Sequence, residues 1–407
     1  MQYTIETISG IECIFAPMQD TNSTTITIMC RAGSVYESPE LNGISHFLEH
    51  MFFKGGKKYP TPKAVAEAVD RFGGEFNAST GNEQVQYYVK CAPNFAAQAL
   101  EVLADMMMHA QFPWAELERE KGVVIQELKM YEDDPVSVAS QKRQERYLGS
   151  NSYGRPIIGT IENIKRFDSA TLHQYKQQLY TKDNLIIVIA GKILEKNTLQ
   201  NLIQEHFSPL IAARTLDKPS FDFYQPLEHQ AYFTKQTEQN HLIISARGYS
   251  GTQPQRYPAK ILATILWGNM SSRLFQNIRE QQGLCYYISA GHAARTAFGD
   301  FIIRAGIDKE RFEFWVEKIF AEIERIAAGE ITTIEFQNAI GFLDGQLQMG
   351  IESSDEMADF LGRQYLNYGT IETLQEMLTN YHAVQLHEVQ KIATMLQRQN
   401  LYLYHVE

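Results

Sequence analysis

The chain has 407 residues, 44% of them hydrophobic and 21% charged, which is an ordinary globular composition but too long for a single compact core. At least two domains are therefore expected. The formal net charge of −11 argues against a general nucleic-acid binder, because phosphate neutralisation needs a basic surface.

The start of the chain and its cysteines bear on where the protein works. The first fifteen residues, MQYTIETISGIECIF, lack the basic segment and apolar run of a secretory signal. The longest aliphatic run, LIIVIA at 185–190, is far shorter than the roughly 20 residues of a membrane helix. No two of the four cysteines have the close spacing of a thiolate metal site, so they are interpreted as core residues. A cytoplasmic protein without a membrane partner is predicted.

The first half of the chain mixes strand and helix patterns. Thr61 and Pro62 have the residue types of a helix N-cap and first turn, and a Gly-Gly pair follows as a stop signal. The pattern predicts, in chain order, a strand at 23–30, a helix after Gly43, a short helix after Thr61, strands at 75–79 and 84–91, and long helices near 94–110 and 114–131. This mixture favours antiparallel sheets covered by helices on one face.

The second half of the chain repeats the first. TITIMCRAGS at 25–34 resembles HLIISARGYS at 241–250, and the segments 114–135 and 333–354 are alike at an offset of 219 residues. We infer two copies of one α+β unit. Between the copies periodicity fades and three prolines appear, which is typical of a linker. The predicted boundaries are an N-terminal domain at 1–212, a linker at 213–226 and a C-terminal domain at 227–407.

The segment His46-Phe47-Leu48-Glu49-His50 carries the strongest chemical signal. On the predicted helix the two histidines lie one turn apart on one face, where both imidazoles can reach one tetrahedral metal. Glu49 could take a proton from a water molecule at that metal, since zinc lowers the pKa of water from about 15.7 toward about 7. This order, H-x-x-E-H, is the inverzincin motif. The alternative is a histidine pair that only packs in the core.

A catalytic zinc needs a third protein ligand and one open position. On the helix at 114–131, Glu120 and Glu127 fall inside an apolar stripe. The stripe consists of Leu117, Val123, Val124, Leu128 and Tyr131. A buried carboxylate needs a partner, because its desolvation costs several kcal/mol. Glu127 is predicted to be the third ligand, and Glu120, roughly 10 Å away along the helix, to orient a histidine. The alternative is that both glutamates are solvated.

These segments resemble the pitrilysin-type, or M16, metallopeptidases, which include mitochondrial processing peptidase and insulin-degrading enzyme. The similar segments are HFLEHMFFKG (46–55), GGEFNAST (73–80) and EREKGVVIQE (118–127), and the 77-residue step from His50 to Glu127 is the usual ligand spacing. The resemblance covers essentially the whole chain. It is to the shorter two-domain members and to the beta subunit of the processing peptidase.

The resemblance implies an α+β fold of two homologous domains, each an antiparallel-rich β-sheet covered by helices. It also implies that His46, His50 and Glu127 bind one zinc ion per chain, with Glu49 as base and Glu120 in support. In the family only the first domain keeps the metal site. The sequence agrees, because Gln346 stands in the second copy where Glu127 stands in the first.

The resemblance also implies residues that hold the substrate. SSRLFQNIREQQGLCYYISAG (271–291) is similar to a family segment whose arginine and tyrosine, here Arg279 and Tyr286, contact substrate and help polarise the scissile carbonyl. Both side chains are hydrogen-bond donors that suit a developing oxyanion. The strand containing Asn77, Ala78 and Ser79 is expected to hold the peptide in extended form; an ordinary hairpin is the alternative.

The predicted function is a zinc endopeptidase or oligopeptidase that hydrolyses extended or unfolded peptides inside a dimeric chamber. The partners expected are peptide substrates and a second copy of the chain, or alternatively a paralogous subunit. In a dimer, Arg279 and Tyr286 would serve either their own zinc site or the opposite one. Two other functions stay open: a non-catalytic partner subunit and a maturase that removes a leader from one dedicated precursor.

Overall fold

A computed structural model describes residues 1–212, 221, 229–280 and 285–407, and the fold is given for these residues. The strands are β1 (Thr4–Ile8), β2 (Ile11–Pro17), β3 (Thr24–Cys30), β4 (Glu75–Thr80), β5 (Val85–Cys91), β6 (Leu185–Gly191), β7 (Gln230–Phe233), β8 (Asn240–Gly248), β9 (Cys285–Ala294), β10 (Gly299–Ile307) and β11 (Tyr402–Val406).

The α-helices alternate with these strands. They are α1 (Ile44–Phe52), α2 (Pro62–Asp70), α3 (Ala96–Met108), α4 (Trp114–Asp133), α5 (Pro135–Leu148), α6 (Ile161–Arg166), α7 (Ser169–Leu179), α8 (Lys196–Phe207), α9 (Arg256–Trp267), α10 (Phe312–Ala327), α11 (Thr333–Met349), α12 (Ser354–Tyr368), α13 (Leu374–Ala383) and α14 (Leu386–Ala393). A short π-helix covers Phe275–Glu280. In the part of the chain that the structure describes, every helix is too short or too polar to span a lipid bilayer.

The elements predicted in the first half of the sequence are confirmed. The expected strands are β3, β4 and β5, and the expected helices are α1 to α4. Local signals explain their ends. Thr61 Oγ1 accepts a hydrogen bond from the Ala64 N–H at 3.1 Å, which caps α2, and Pro62 occupies its first turn, where its missing N–H has no cost.

The described residues form two compact units, each discontinuous in sequence. Unit 1 takes the described residues of Met1–Lys129, Arg155–Pro219 and Gly350–Ile371; unit 2 takes those of Met130–Gly154, Ser220–Met349 and Glu372–Glu407. Thus α5 belongs to unit 2 and α12 to unit 1. The predicted linker lies mostly outside the described residues, so its boundaries stay a prediction.

Unit 1 is built on a six-stranded sheet in the order β1-β2-β6-β3-β5-β4, antiparallel except for the parallel pair β2 and β6. One face packs on α1, α3 and α8. The other face is covered by α12, whose Leu361 and Met357 pack against Met29 and Val188. The expectation of helices on one face only was therefore wrong for this sheet. The reason is visible in β6, LIIVIAG, where every residue is buried and no polar alternation marks a solvent face.

Unit 2 has a five-stranded sheet in the order β7-β11-β8-β10-β9, antiparallel except for β7 and β11. Its core lies against α9, α10 and α14. Helix α5 is held by a buried ion pair between Arg143 and Asp300, and Arg295 binds the other oxygen of Asp300 at 2.8 Å. Burial alone would raise the pKa of Asp300, but the two guanidinium groups hold it below its usual value. This ion pair fixes α5 to a sheet whose strands all come later in the sequence.

The helices also show the internal duplication. Trp114 and Thr333, which open α4 and α11, are separated by the same 219 residues as Pro135 and Ser354, which open α5 and α12. The offset found in the sequence therefore relates whole elements. Each unit completes its sheet with a helix that belongs, by sequence order, to the other copy.

A pH dependence of stability arises from His292 in β9. Its Nε2 accepts the Tyr249 N–H at 3.0 Å, and burial lowers the pKa of His292 from 6.5 to about 4. Below pH 6.5 the unfolded chain binds a proton that the folded chain excludes, so the unfolding free energy should fall between pH 6.5 and about 4, by about 3 kcal/mol at most.

The test is chemical denaturation from pH 7 to pH 4. We expect His292→Gln, which can still accept the Tyr249 N–H but cannot be protonated, to lose less stability on acidification than the wild type. The exposed His387→Gln serves as control. Equal acid sensitivity in the wild type and His292→Gln would contradict the assignment.

Candidate active site

The site begins with the way α1 is anchored. Its N-cap, Gly43, has φ +99°, and a Cβ there would lie 2.6 Å from the Ile158 carbonyl oxygen, so only glycine fits. The buried carboxylate of Glu37 accepts the N–H groups of Gly43 at 2.8 Å and Ser45 at 2.9 Å, where the helix dipole favours a negative charge. Helix α1 is therefore rigidly placed at the end that carries His46.

Helix α1 has one apolar face and one face that carries the candidate site residues. Ile44, Phe47, Leu48 and Met51 are fully buried in the unit 1 core. His46, Glu49 and His50 on the other face are only partly buried. The apolar face thus holds the helix, and the three polar side chains are presented together.

Glu127 on α4 faces this triplet. Glu127 Oε1 lies 3.6 Å from His46 Nε2, and Glu127 Oε2 lies 3.5 Å from His50 Nε2. One ligand atom from each of the three residues falls within 4.8 Å of the others. Ligands 2.0–2.1 Å from a tetrahedral zinc are roughly 3.3 Å apart, so this N,N,O donor set fits zinc with one position left open.

Glu120, two turns before Glu127 on α4, orients His50. Its Oε1 is 2.8 Å from His50 Nδ1, and its side chain is 4% exposed. Burial raises and the contacts with His50 and Lys54 lower the pKa of Glu120, with a net decrease. An ionised Glu120 can only accept, so Nδ1 of His50 carries a hydrogen, and Nε2, on the side of Glu127, is the nitrogen that can bind a metal.

Lys54 completes this arrangement. Its Nζ lies 2.6 Å from Glu120 Oε2, so both oxygens of the buried carboxylate are engaged. Burial alone would lower the pKa of His50, yet the hydrogen bond and charge of Glu120 raise it overall. Lys54 is not among the site residues predicted from the sequence. The signal that could have found it is its position, four residues after His50 in the turn that follows α1.

Glu49 is oriented by the neighbouring strand. Thr80 Oγ1, at the end of β4, donates a hydrogen bond to Glu49 Oε2. Among the described residues β4 pairs only with β5, so it is an edge strand of the unit 1 sheet. Asn77 and Ser79 are exposed on β4, and Ala78 is partly buried. An open edge thus runs up to the carboxylate that could act as a base.

Two family models match the chain. The model described as Insulinase (Peptidase family M16) matches residues 15–161, and the model described as Peptidase M16 inactive domain matches residues 166–343. A Bacillus subtilis protein named uncharacterized zinc protease YmxG is 34% identical, over 97% of this chain and 95% of its own. The chain belongs to peptidase family M16.

Another relative is similar to this M16 chain in sequence, and two solved structures are similar to it in fold. A Rickettsia bellii protein named uncharacterized zinc protease is 30% identical over 93% of this chain and 91% of its own. The crystal structure of a protease from Helicobacter pylori has a TM-score of 0.91 at 19% identity, covering 100% of this chain and 99% of that one. The crystal structure of a peptidase M16 inactive domain from Pseudomonas fluorescens has a TM-score of 0.89 at 17% identity, covering 100% of this chain and 98% of that one.

The family and the fold class expected from the sequence are confirmed for this M16 chain: two α+β units with helix-covered sheets. The structure brings together His46, His50, Glu127, Glu49 and Glu120 in unit 1. The apolar stripe predicted on α4 is wider than the face that is buried. Leu117, Val124 and Leu128 are buried, whereas Val123 is 48% and Tyr131 42% exposed. Val123 lies at the edge of the stripe, and Tyr131 lies in the last turn of the helix.

The predicted substrate contacts of unit 2 are less complete. Arg279 is exposed at the end of the π-helix, with its guanidinium 5.1 Å from the centre of the Phe275 ring. Tyr286 lies on β9, but its side chain is outside the described residues. Their roles in this M16 chain stay predictions.

Proposed function

We propose that this chain is a zinc-dependent endopeptidase or oligopeptidase that hydrolyses extended or unfolded peptides. The observation that carries the proposal is the meeting of His46, His50 and Glu127 around one point, with Glu49 one residue from the second histidine. The names of the relatives, zinc proteases, support the choice of metal. One zinc ion per chain matches the single three-residue cluster found among the described residues.

When bound, zinc supplies Lewis-acid polarisation of the scissile carbonyl and makes water nucleophilic at neutral pH. His46, His50 and Glu127 hold it, and Glu120 fixes the tautomer of His50. Glu49 accepts the proton of the attacking water and returns it to the leaving amine. Thr80 keeps the Glu49 carboxylate in place through its hydrogen bond.

The substrate side of the proposal starts from β4. An extended peptide can add to its free edge, with the backbone groups around Asn77, Ala78 and Ser79 pairing with the peptide. Arg279 and Tyr286 would donate to the carbonyl oxygen as negative charge develops there. The proposed assembly is a dimer that encloses a chamber in the cytoplasm; it is supported by the resemblance to family members of this length.

The proposal is tested by removing and restoring the metal. Treatment with a chelator should abolish hydrolysis of a broad panel of quenched-fluorescent peptides, and stoichiometric zinc should restore it. A folded globular protein should resist cleavage, and light scattering should give a dimer mass. Zinc binding without hydrolysis of any peptide would instead favour a partner subunit, and cleavage of one peptide alone would favour a dedicated maturase.

Lys54 offers a prediction about metal affinity. Lys54→Met leaves one oxygen of the buried Glu120 without its cation, so the carboxylate no longer holds His50 firmly. We expect zinc to bind about 10–100-fold more weakly, the usual effect of losing a group that orients a metal ligand. The dissociation constant is measured by competition with a chromogenic chelator.

Two matched variants control this experiment. Lys54→Arg keeps the charge and should retain most of the affinity, whereas Lys57→Met removes an exposed lysine from the same loop and should change nothing. Unaltered zinc affinity in Lys54→Met would show that Glu120 does not need the cation.

A further inference from the structure

A second pocket lies within unit 2, among residues that the hydrolytic mechanism does not use. It has a volume of about 350 Å³ and lies between α9, α11 and β9. Its walls are largely apolar and include Trp267, Phe342, Leu343 and Leu347. A volume of this size suits one or two amino-acid residues and is at the small end of ligand pockets.

The charge on the described lining of this pocket is positive only. Of the lining residues that the structure describes, Lys260 alone carries a charge at neutral pH, and none is a carboxylate. Within the described ranges, the Lys260 ammonium takes part in no hydrogen bond or ion pair. The Lys260 side chain is exposed, so its ammonium group is accessible from solvent. An anion that enters the pocket can therefore pair with this ammonium group, and none of the described lining residues supplies one.

The pocket corresponds to the metal site of unit 1 with the polarity reversed. Lys260 and Thr264 are four residues apart on α9, the spacing of His46 and His50 on α1. Gln346 on α11 lies at the 219-residue offset from Glu127. A set that could bind a cation is thus replaced by an ammonium group and a neutral amide, both of which can donate hydrogen bonds to an anion.

The neighbouring strand suggests which anion fits. Ala290 and Gly291 of β9 line the pocket, and β9 is an edge strand that pairs only with β10 among the described residues. A Cβ added at Gly291 would meet nothing within 4 Å, so the backbone there is open to a ligand. An edge strand can receive an extended peptide, and the apolar walls can receive a side chain.

We propose that this pocket binds the C-terminal carboxylate of a peptide, with Lys260 pairing with the carboxylate and Gln346 donating to it. Trp267, Phe342 and Leu347 surround the last side chain, which is therefore apolar. The site goes beyond the proposed hydrolysis, because none of its residues takes part in that mechanism and it needs no metal.

The proposal is tested by calorimetric titration of the full chain with N-acetyl-alanyl-leucine and with its C-terminal amide. The free acid should bind the wild type at least roughly tenfold more tightly than the amide, the effect of one charge-assisted hydrogen bond. Lys260→Met should bind acid and amide alike, and Lys260→Arg should retain the preference. Lys391→Met, an exposed lysine of α14, is the matched control and should behave as the wild type.

A carboxylate can also bind an open zinc site, so the titrations are repeated after the metal has been removed with a chelator. The preference for the acid should persist in the metal-free wild type and remain absent in Lys260→Met. A preference that disappears with the metal, or that survives in Lys260→Met, would overturn the proposal. Thermal unfolding confirms that Lys260→Met is folded; it should be at least as stable as the wild type, because no partner is lost. Neither result depends on whether peptides are hydrolysed.

Discussion

Glu49→Gln should lower kcat/KM for a quenched-fluorescent peptide by about 10²–10⁴-fold, the contribution of a well-placed general base. The amide has the size of the carboxylate and can still contact Thr80, but it cannot accept a proton from water. The zinc ligands are untouched, so zinc content should stay at the wild-type value. The measurement pairs initial hydrolysis rates with metal analysis of the same samples.

A matched control for Glu49→Gln is Glu67→Gln, which removes an exposed carboxylate from α2 of the same unit. Its activity should stay within about twofold of the wild type, since surface pairs contribute little. Activity of Glu49→Gln within tenfold of the wild type would show that another group removes the proton. Loss of zinc together with activity would instead show that the substitution disturbs the site.

Glu127→Gln should release the metal. The change removes the negative charge opposite two neutral imidazoles and leaves a weaker amide oxygen, so we expect zinc affinity to fall on the order of a hundredfold or more. Zinc per chain after dialysis against a competing chelator is the measurement. Hydrolysis should fall in proportion to the zinc lost.

Two further variants of α4 sharpen this prediction. Glu118→Gln changes an exposed glutamate that pairs with Lys121, and it should retain full zinc. Glu120→Gln should weaken binding less than Glu127→Gln, since it orients a ligand without being one. If Glu127→Gln kept its full zinc content and Glu120→Gln lost zinc, Glu120 would be the ligand and Glu127 the residue that orients it.

Much of this site was predictable because its residues lie on two helices with clear periodicity. The spacing of His46 and His50 places them on one helical face whatever the rest of the fold does. Likewise, a glutamate inside an apolar stripe must find a partner, and Glu120 and Glu127 both did. Where the interaction is local, the sequence is sufficient.

Other parts depend on tertiary contacts that no local pattern contains. Thr80 is 31 residues from Glu49 and reaches it only because β4 lies beside α1. Val123 was placed in the core from helical phase alone, but the neighbouring elements do not extend over it. The periodicity of a helix also does not indicate which sheet the helix covers. The place of α12 in unit 1, for example, follows from its packing against Met29 and Val188 and not from a pattern in its own sequence.

The placement of α12 has a consequence for the time course of biosynthesis. The outer face of the unit 1 sheet, including Met29 and Val188, is covered by residues that follow it by more than 160 positions. At about 5–20 residues per second, a ribosome needs on the order of ten seconds to add them after Val188. During that interval the nascent sheet carries an uncovered apolar face. The two copies cannot therefore mature one after the other, and a fragment ending at residue 212 would lack part of its own core.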